Sequence, residues 1–424
     1  MVKFVNTNPV VLVVGTTTDY IDWIRQENPT RALFLTDPLL RREATEPEPH
    51  PAEELLCDLR DFEQIDKELS DHLSRWGLTL DGIVCFDCES MELTAFLAEK
   101  LSLPYPARES IRLCRDKYAA KVLWRKNGIA CPRVQLVHTA DGIFDFLQEI
   151  EAPCVLKPVA GSGSELVFYC SSRRDCDKGA RLIQRGLRDR KWHRLYTNTT
   201  TWFLAEEYIS GEEYSCDFII SNNRVQIIRL TRKLKDAKSP FGTISGYKLS
   251  DCAAEGLNKK NLEDILCRGA QALGMVEALC MVDFLVRDGE IVLLEMTPRP
   301  GGDCIPSLLK KAGPFDILTF ALDFAQRRRI DLPKWCNGRY VALRLHAKKS
   351  GTINRIDGQL LLEDPRVLEV QTACVAGQHI EMPPQDYESW YLGHIIFNPT
   401  PEASLTDQCQ ELRKLFVVDM DYDN

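Results

Sequence analysis

The residues best placed to do chemistry sit in one stretch, VDFLVRDGEIVLLEMTPRPGGD, where Asp283 and Glu295 stand inside apolar sequence. Carboxylates among Val, Leu and Ile are costly to bury unless paired or bound to a cation. A two-residue Asp288-Gly289 turn would set the two acids on opposite faces of a hairpin. A three-residue turn, Arg287-Asp288-Gly289 with a left-handed glycine, sets them on one face and is the expected form. Strand alternation then adds Thr297 to that face. Two acids aimed at one point suit a hard cation, Mg²⁺ or Mn²⁺, that also takes substrate phosphate oxygens. Two solvated edge acids are the competing reading, since a lone Asp or Glu is usually exposed. The paired spacing and the PRPGG that follows favour the metal.

Three weaker constellations precede the hairpin. Lys157 ends an apolar run and is followed by Ala-Gly-Ser-Gly-Ser at 160–164. Small residues there let backbone N–H groups turn onto phosphate oxygens beside an ammonium; a flexible hairpin tip reads the same way. Lys117 follows Arg115-Asp116 and, taken alone, is an ordinary solvated lysine. Glu206-Glu207-Tyr208-Ile209, with Gly211-Glu212-Glu213 behind it, offers an acid for ribose hydroxyls and backbone groups for an adenine edge, or simply a charged strand end.

The elements that must hold these residues alternate. Strands are expected at 9–15, 32–35 and 82–86 and a helix at 89–101, which implies a parallel sheet with helices on its faces. One helix is expected over 113–127, stopped by Gly128. Strands follow at 133–137, 153–159, 203–208 and 214–229, the last broken by an Asn222-Asn223 turn. A helix covers 259–273. Past the hairpin come strands at 340–346, 360–362, 367–371 and 391–397 and a helix at 405–415. Gly15 lacks the further glycines of a dinucleotide fingerprint, and neither a P-loop nor a Gly-x-Ser-x-Gly elbow occurs.

Composition limits the class. With 44% hydrophobic and 27% charged residues and a net charge of −9, the chain reads as a globular protein. The charge argues against nucleic-acid and anionic-membrane partners. No apolar run is long enough for a membrane span or a signal-peptide core, so the cytosol is the expected compartment. Sixteen scattered cysteines are expected to be free buried thiols, Cys85 and Cys88 included.

Taken in order, Arg115-Asp116-Lys117, Lys157 with its Gly/Ser loop, Glu206 to Glu213, and Asp283 to Arg299 resemble the ATP-grasp superfamily. The LPYP-to-RDKY passage and the hairpin are most similar to its carboxylate–amine ligase branch, which includes L-amino-acid ligases; biotin carboxylase is a cousin. The resemblance implies an α/β fold: an N-terminal Rossmann-like domain over 1–112, an ATP-grasp domain over 113–325 with a lid at about 113–205, and a C-terminal closing segment over 326–424. It implies that Lys117 and Lys157 meet ATP phosphates, Lys157 also near the adenine, and that Gly161, Ser162, Gly163 and Ser164 close over the β- and γ-phosphates. Glu206, Glu207 and Ile209 match the adenine hinge and Glu213 the ribose contact. Asp283 and Glu295 match the magnesium carboxylates; Thr297 stands where the family usually has asparagine, and its hydroxyl can still ligate Mg²⁺. Arg299 matches an arginine that steadies the transferred phosphate, Asp303 an acid acting as base, and Arg344 a contact to the substrate carboxylate. Arg232 and Lys233, in 231–247, match a loop shaping the acceptor pocket.

The implied activity is ATP-dependent joining of a carboxylate, expected to be an amino acid's, to an amine through an acyl-phosphate, with release of ADP and phosphate and often in a homodimer. A bicarbonate-using carboxylase, a purine-pathway ligase of the same superfamily and a non-catalytic ATP-binding regulator are the alternatives.

Overall fold

The computed structural model describes residues 9–161, 163–190, 194, 202–333 and 340–423. Ser162 lies outside the described residues. The chain opens with β1 (Val10–Val14), α1 (Thr18–Glu27), β2 (Ala32–Thr36), α2 (Pro38–Glu43), β3 (Glu54–Leu56), α3 (Phe62–Trp76), β4 (Leu80–Val84) and α4 (Met91–Leu101). The strands form a parallel sheet in the order β3-β2-β1-β4, as the alternation implies. The run VVLVV is apolar throughout because both its faces are covered. Val10, Leu12 and Val14 pack with Ile65, Leu69 and Leu97, whereas Val11 and Val13 pack with Ile21, Leu318 and Leu322.

The single helix expected over 113–127 is two, α5 (Arg108–Arg115) and α6 (Lys117–Lys126). Asp116 breaks it: its backbone is extended, and its carboxylate accepts from the amides of Tyr118 and Ala119, both at 2.9 Å. A short acidic side chain there satisfies orphan N–H groups that a continued helix would have used.

Next come β5 (Val134–Val137), α7 (Ala140–Ile150), β6 (Cys154–Lys157), β7 (Phe168–Cys170), α8 (Arg173–Asp189) and β8 (Phe203–Glu207). They make an antiparallel sheet, order β5-β8-β6-β7. Helices α7 and α8 supply its apolar cover through Ile143, Phe146 and Ile183.

The large sheet is built from β9 (Glu212–Ser221), β10 (Arg224–Lys235), β11 (Ile244–Ser250), α9 (Lys259–Ala272), β12 (Ala278–Arg287), β13 (Glu290–Thr297), α10 (Ile305–Ala312) and α11 (Ile317–Ala325). The remainder is β14 (Val341–His346), β15 (Gly351–Asp357), α12 (Gln359–Leu362), β16 (Val367–Thr372), β17 (His379–Ile380), β18 (Tyr391–Phe397), α13 (Leu405–Leu415) and β19 (Val417–Tyr422). Strand order in the large sheet is β13-β12-β9-β10-β11-β14-β18-β16, so C-terminal strands extend the same sheet. Its back face buries Cys216, Phe218, Val282 and Phe284 against Trp124 of α6 and Leu266 of α9. On its front face Leu249, Leu279, Ala342 and Ile396 pack with α10, α11 and the N-terminal sheet. Toward β13 the front face carries Asp217, Arg229, Asp283, Glu295 and Thr297, with the apolar Leu285 and Val292 at its edge.

One expected strand and one expected loop change. Residues 360–362 are helical, because a three-residue apolar run carries no period that separates the two states. Residues 231–247 are largely the strands β10 and β11, not a loop, with a turn between Lys235 and Ile244. The described cysteines are free thiols, buried except for Cys131 and Cys267. Among the described residues no helix is long and apolar enough to cross a membrane.

Candidate nucleotide and metal site

The hairpin carries the acids on one face, though not by the expected turn. Arg287 pairs with Glu290, so the turn is the two-residue Asp288-Gly289, with φ of 50° and 81°. That turn alone would pair Asp283 with Leu294. A bulge intervenes: Phe284 pairs with Leu293 and Asp283 with Glu295, leaving Leu294 extra. One extra residue flips the parity of everything beyond it, and Asp283 and Glu295 stand side by side. Thr297 shares their face and is 2% exposed. Among the described residues its hydroxyl has no hydrogen-bond partner.

Lysines surround these acids. Lys117 Nζ lies 3.1 Å from Glu295 Oε2 and donates to the Gly161 carbonyl at 3.0 Å, while its own amide donates to the Val159 carbonyl. The Gly/Ser loop is thereby tied to the metal-type carboxylate. Gly163 and Ser164 both have left-handed backbones, φ 63° and 61°, which bend the loop back. Burial pushes the Glu295 carboxyl up, but Lys117, Lys157 and Lys121 outweigh it and hold it down to about 2. Lys157 donates to Glu206 Oε1 at 2.7 Å, and Lys121 pairs with Glu206 Oε2 at 2.9 Å.

Lys121 went unnoticed in the sequence. It lies one turn beyond Lys117 on α6, a spacing that puts both on one helix face, and it is fully buried. Burial presses its ammonium down to about 8, against the pull of Glu206.

Asp283 meets Lys233 Nζ at 2.7 Å, and Lys233 also meets Glu213 at 2.8 Å. Lys235 reaches Glu213 as well, at 2.6 Å. Burial raises the Glu213 carboxyl, yet these two lysines hold it down to about 2. For Asp283 burial dominates over Lys233 and its carboxyl is raised. A divalent ion between Asp283 and Glu295 would relieve that cost. The donor set fits Mg²⁺, a hard cation that takes oxygen ligands: two adjacent carboxylates and an orphaned buried hydroxyl. Among the described residues there is no group of three or more His, Cys, Asp or Glu that would hold a metal unaided.

Not every expected residue joins this cluster. Arg232 alternates to the back face, where it pairs with Glu212 at 2.7 Å and lines a groove of about 1110 Å³ bounded by α13. Lys233, though its ammonium turns to the front face, lines the same groove. Glu207 turns away from Glu206 and accepts from Arg133 at 3.2 Å. Ile209 packs with Leu285 and Val292 in a small apolar cluster at the β12–β13 edge.

The loop after β13 is held from below by a pair the sequence reading missed. Arg229 and Asp217, both wholly buried, meet at 2.7 Å. Asp217 Oδ1 also accepts from the Gly301 amide at 2.9 Å. A Cβ on Gly301 would stand 2.2 Å from the Arg229 guanidinium, so glycine is required by the close approach. Arg299 on this loop donates to Cys88 Sγ and to the Pro300 carbonyl. Asp303 has a left-handed backbone and meets Arg344 Nε at 3.1 Å. Tyr247 donates to its carboxylate at 3.3 Å, Tyr20 to its carbonyl at 3.4 Å, and the Arg344 guanidinium lies over the Tyr391 ring. Arg299, Asp303 and Arg344, 45 positions apart at the extremes, thus gather at the inner end of the front face.

Comparison with known proteins agrees with this layout. Residues 150–307 match the ATP-grasp domain family. An uncharacterized protein, y4rH, of Sinorhizobium fredii is 26% identical over 263 residues, 62% of this chain and 52% of its own length. A D-alanine–D-alanine ligase of Maridesulfovibrio salexigens is 23% identical over 244 residues, covering 55% of this chain and 76% of that one. The chain therefore spans about half the length of the first of these relatives. The crystal structure of an L-amino acid ligase from Bacillus licheniformis superposes with a TM-score of 0.75 over 99% of this chain and all of that one, at 18% identity. Residues 150–307 therefore carry an ATP-grasp domain, within a chain whose fold is like that of the ligase.

Proposed function

We propose that the protein is an ATP-dependent carboxylate–amine ligase, forming an acyl-phosphate from an amino acid and passing the acyl group to an amine. The observation that carries this reading is the in-register pair Asp283–Glu295, joined through Lys117 to the Gly161 carbonyl. Relatives include D-alanine–D-alanine ligases, and one structural neighbour is an L-amino acid ligase.

Asp283 and Glu295, with the Thr297 hydroxyl, would hold Mg²⁺, which when bound neutralises terminal phosphate oxygens. Phosphoryl transfer asks mainly for positioning and charge stabilisation, which a site of lysines and arginines supplies without a nucleophile. Lys117 and Lys157 would leave their carboxylate partners for phosphate oxygens. The backbone N–H groups of 161–164 would cap the phosphates, and Ile209 with Val292 would supply an apolar wall for the adenine. Arg299 would steady the phosphoryl group in flight, and Arg344 would orient the carboxylate that attacks it. Asp303, already an acceptor for Tyr247 and Arg344, stands where it could take a proton from the incoming amine. Closure of the 134–207 sheet over the front face would exclude the water that hydrolyses acyl-phosphates. In this reading the enzyme works in the cytosol as a homodimer, which its elution volume on a sizing column checks.

The test is ADP release from Mg-ATP with pairs of amino acids, against bicarbonate alone. Turnover that needs an amino acid and is lost in Glu295→Gln supports the ligase. Turnover with bicarbonate alone favours a carboxylase, and ATP binding without turnover favours a regulator.

A further inference from the structure

The bulge at Leu294 decides whether the two acids cooperate, so what stabilises it matters. A bulged residue leaves the ladder, and its backbone groups need other partners. The Leu294 carbonyl accepts from Lys121 Nζ at 2.6 Å. The same ammonium, with its side chain wholly buried, lies 2.9 Å from Glu206 Oε2 at the end of β8. Next to the bulge the Leu293 amide donates to the Ala130 carbonyl, just beyond α6. One buried cation therefore bridges three elements: α6, the strand leading to the adenine hinge, and the irregular point of β13.

Resting on the function proposed above, we infer that Lys121 is a positioning residue for the metal site: its ammonium clamps the Leu294 bulge to Glu206 and so keeps Glu295 on the face of Asp283. Without the cation the Leu294 carbonyl is left without its donor, and the bulge loses its main restraint. A ladder that then pairs regularly from the Asp288-Gly289 turn puts Leu294 opposite Asp283 and turns Glu295 away. Lys121 touches neither metal nor nucleotide in this scheme.

In a chain lacking Leu294, regular pairing from the same turn already sets Glu295 opposite Asp283, so Lys121 becomes dispensable for the metal. Mn²⁺ binding in the presence of ADP, followed by calorimetry, is measured for wild type, Lys121→Met, the Leu294 deletion and the two combined. Lys121→Met alone should weaken Mn²⁺ binding about tenfold or more, the usual effect of losing a group that orients a metal ligand. In the deletion background the same change should matter less than about threefold, non-additivity being the mark of coupling. Hydrogen exchange of 290–297 should quicken in Lys121→Met, with 224–235 unaffected. Should Lys121→Met not fold, Lys121→Gln, which is shorter and carries no charge, is judged by the same criteria; should the deletion not fold, the exchange measurement decides. Equal losses in both backgrounds, or unchanged Mn²⁺ affinity and exchange, overturn the inference. Failure of wild type to bind Mn²⁺ and ADP at all would instead sink the proposed function.

Discussion

At the outer end of the front face every acid is answered by lysine: Glu206 by Lys121 and Lys157, Glu213 by Lys233 and Lys235, Asp283 by Lys233, Glu295 by Lys117. At the inner end, beside Arg299, the planar cation of Arg344 faces Asp303 among the phenols of Tyr20, Tyr247 and Tyr391. The difference is chemical. Lysine is a point charge on a flexible stem and can exchange a carboxylate for a phosphate, whereas a stacked guanidinium fork is held in one plane. Under the proposed function the outer end would swap partners when nucleotide and metal bind. The inner end is suited to hold one orientation, and burial keeps its tyrosines protonated as donors.

The two ends rest on the Arg229–Asp217 pair between them, and breaking it should have the largest effect. Asp217→Ala leaves a buried guanidinium uncompensated and should cost about 3–5 kcal/mol in denaturant unfolding. Arg299→Ala should lower the rate of ADP release roughly 10²–10³-fold, the scale for losing one transition-state donor, with the KM for ATP nearly unchanged. A raised KM for ATP instead would move Arg299 to the nucleotide end. Arg344→Lys should raise the KM for the carboxylate substrate about tenfold, about 1.4 kcal/mol, while leaving ATP binding alone.

The smallest effect concerns acid. Burial, helped by Arg344 and Arg413, pushes the His346 imidazole down to about 3. Its unfolded value is about 6.5, so between those limits the unfolded chain binds the extra proton. Stability should fall as pH drops from about 6.5 toward 3, with a slope from this group of at most about 1.4 kcal/mol per pH unit. The lysine-held Glu213 and Glu295 sit near 2, below their ordinary 4.5, so their contribution is present above that value and is lost only under it. Unfolding measured at pH 7 and pH 5 in wild type and His346→Phe separates the ends: the variant should show the flatter dependence.

Much of this site could be read without coordinates, and the misses have a common cause. Local period and turn chemistry marked the hairpin, the Asn222-Asn223 turn, the helix at 405–415 and the fully buried strand VVLVV. The expectation that Asp283 and Glu295 share a face agrees with the structure, but the three-residue turn behind it does not. Arg232 and Lys233 line one groove, but strand alternation gives their charged ends different partners, Glu212 and Asp283. Asp116 hid a break inside a helical pattern, since an N-cap and a helical acid look alike in sequence.

What the sequence determined alone was the order of chemical groups along the chain and the elements that carry them, because both depend on neighbours a few residues apart. The tertiary structure decided the bulge at Leu294, the burial of Lys121 and the Arg229–Asp217 support under Gly301. Each joins parts of the chain far apart in sequence, Lys121 to Leu294 across 173 positions, and is worth forming only once packing has removed the water that would otherwise solvate those charges.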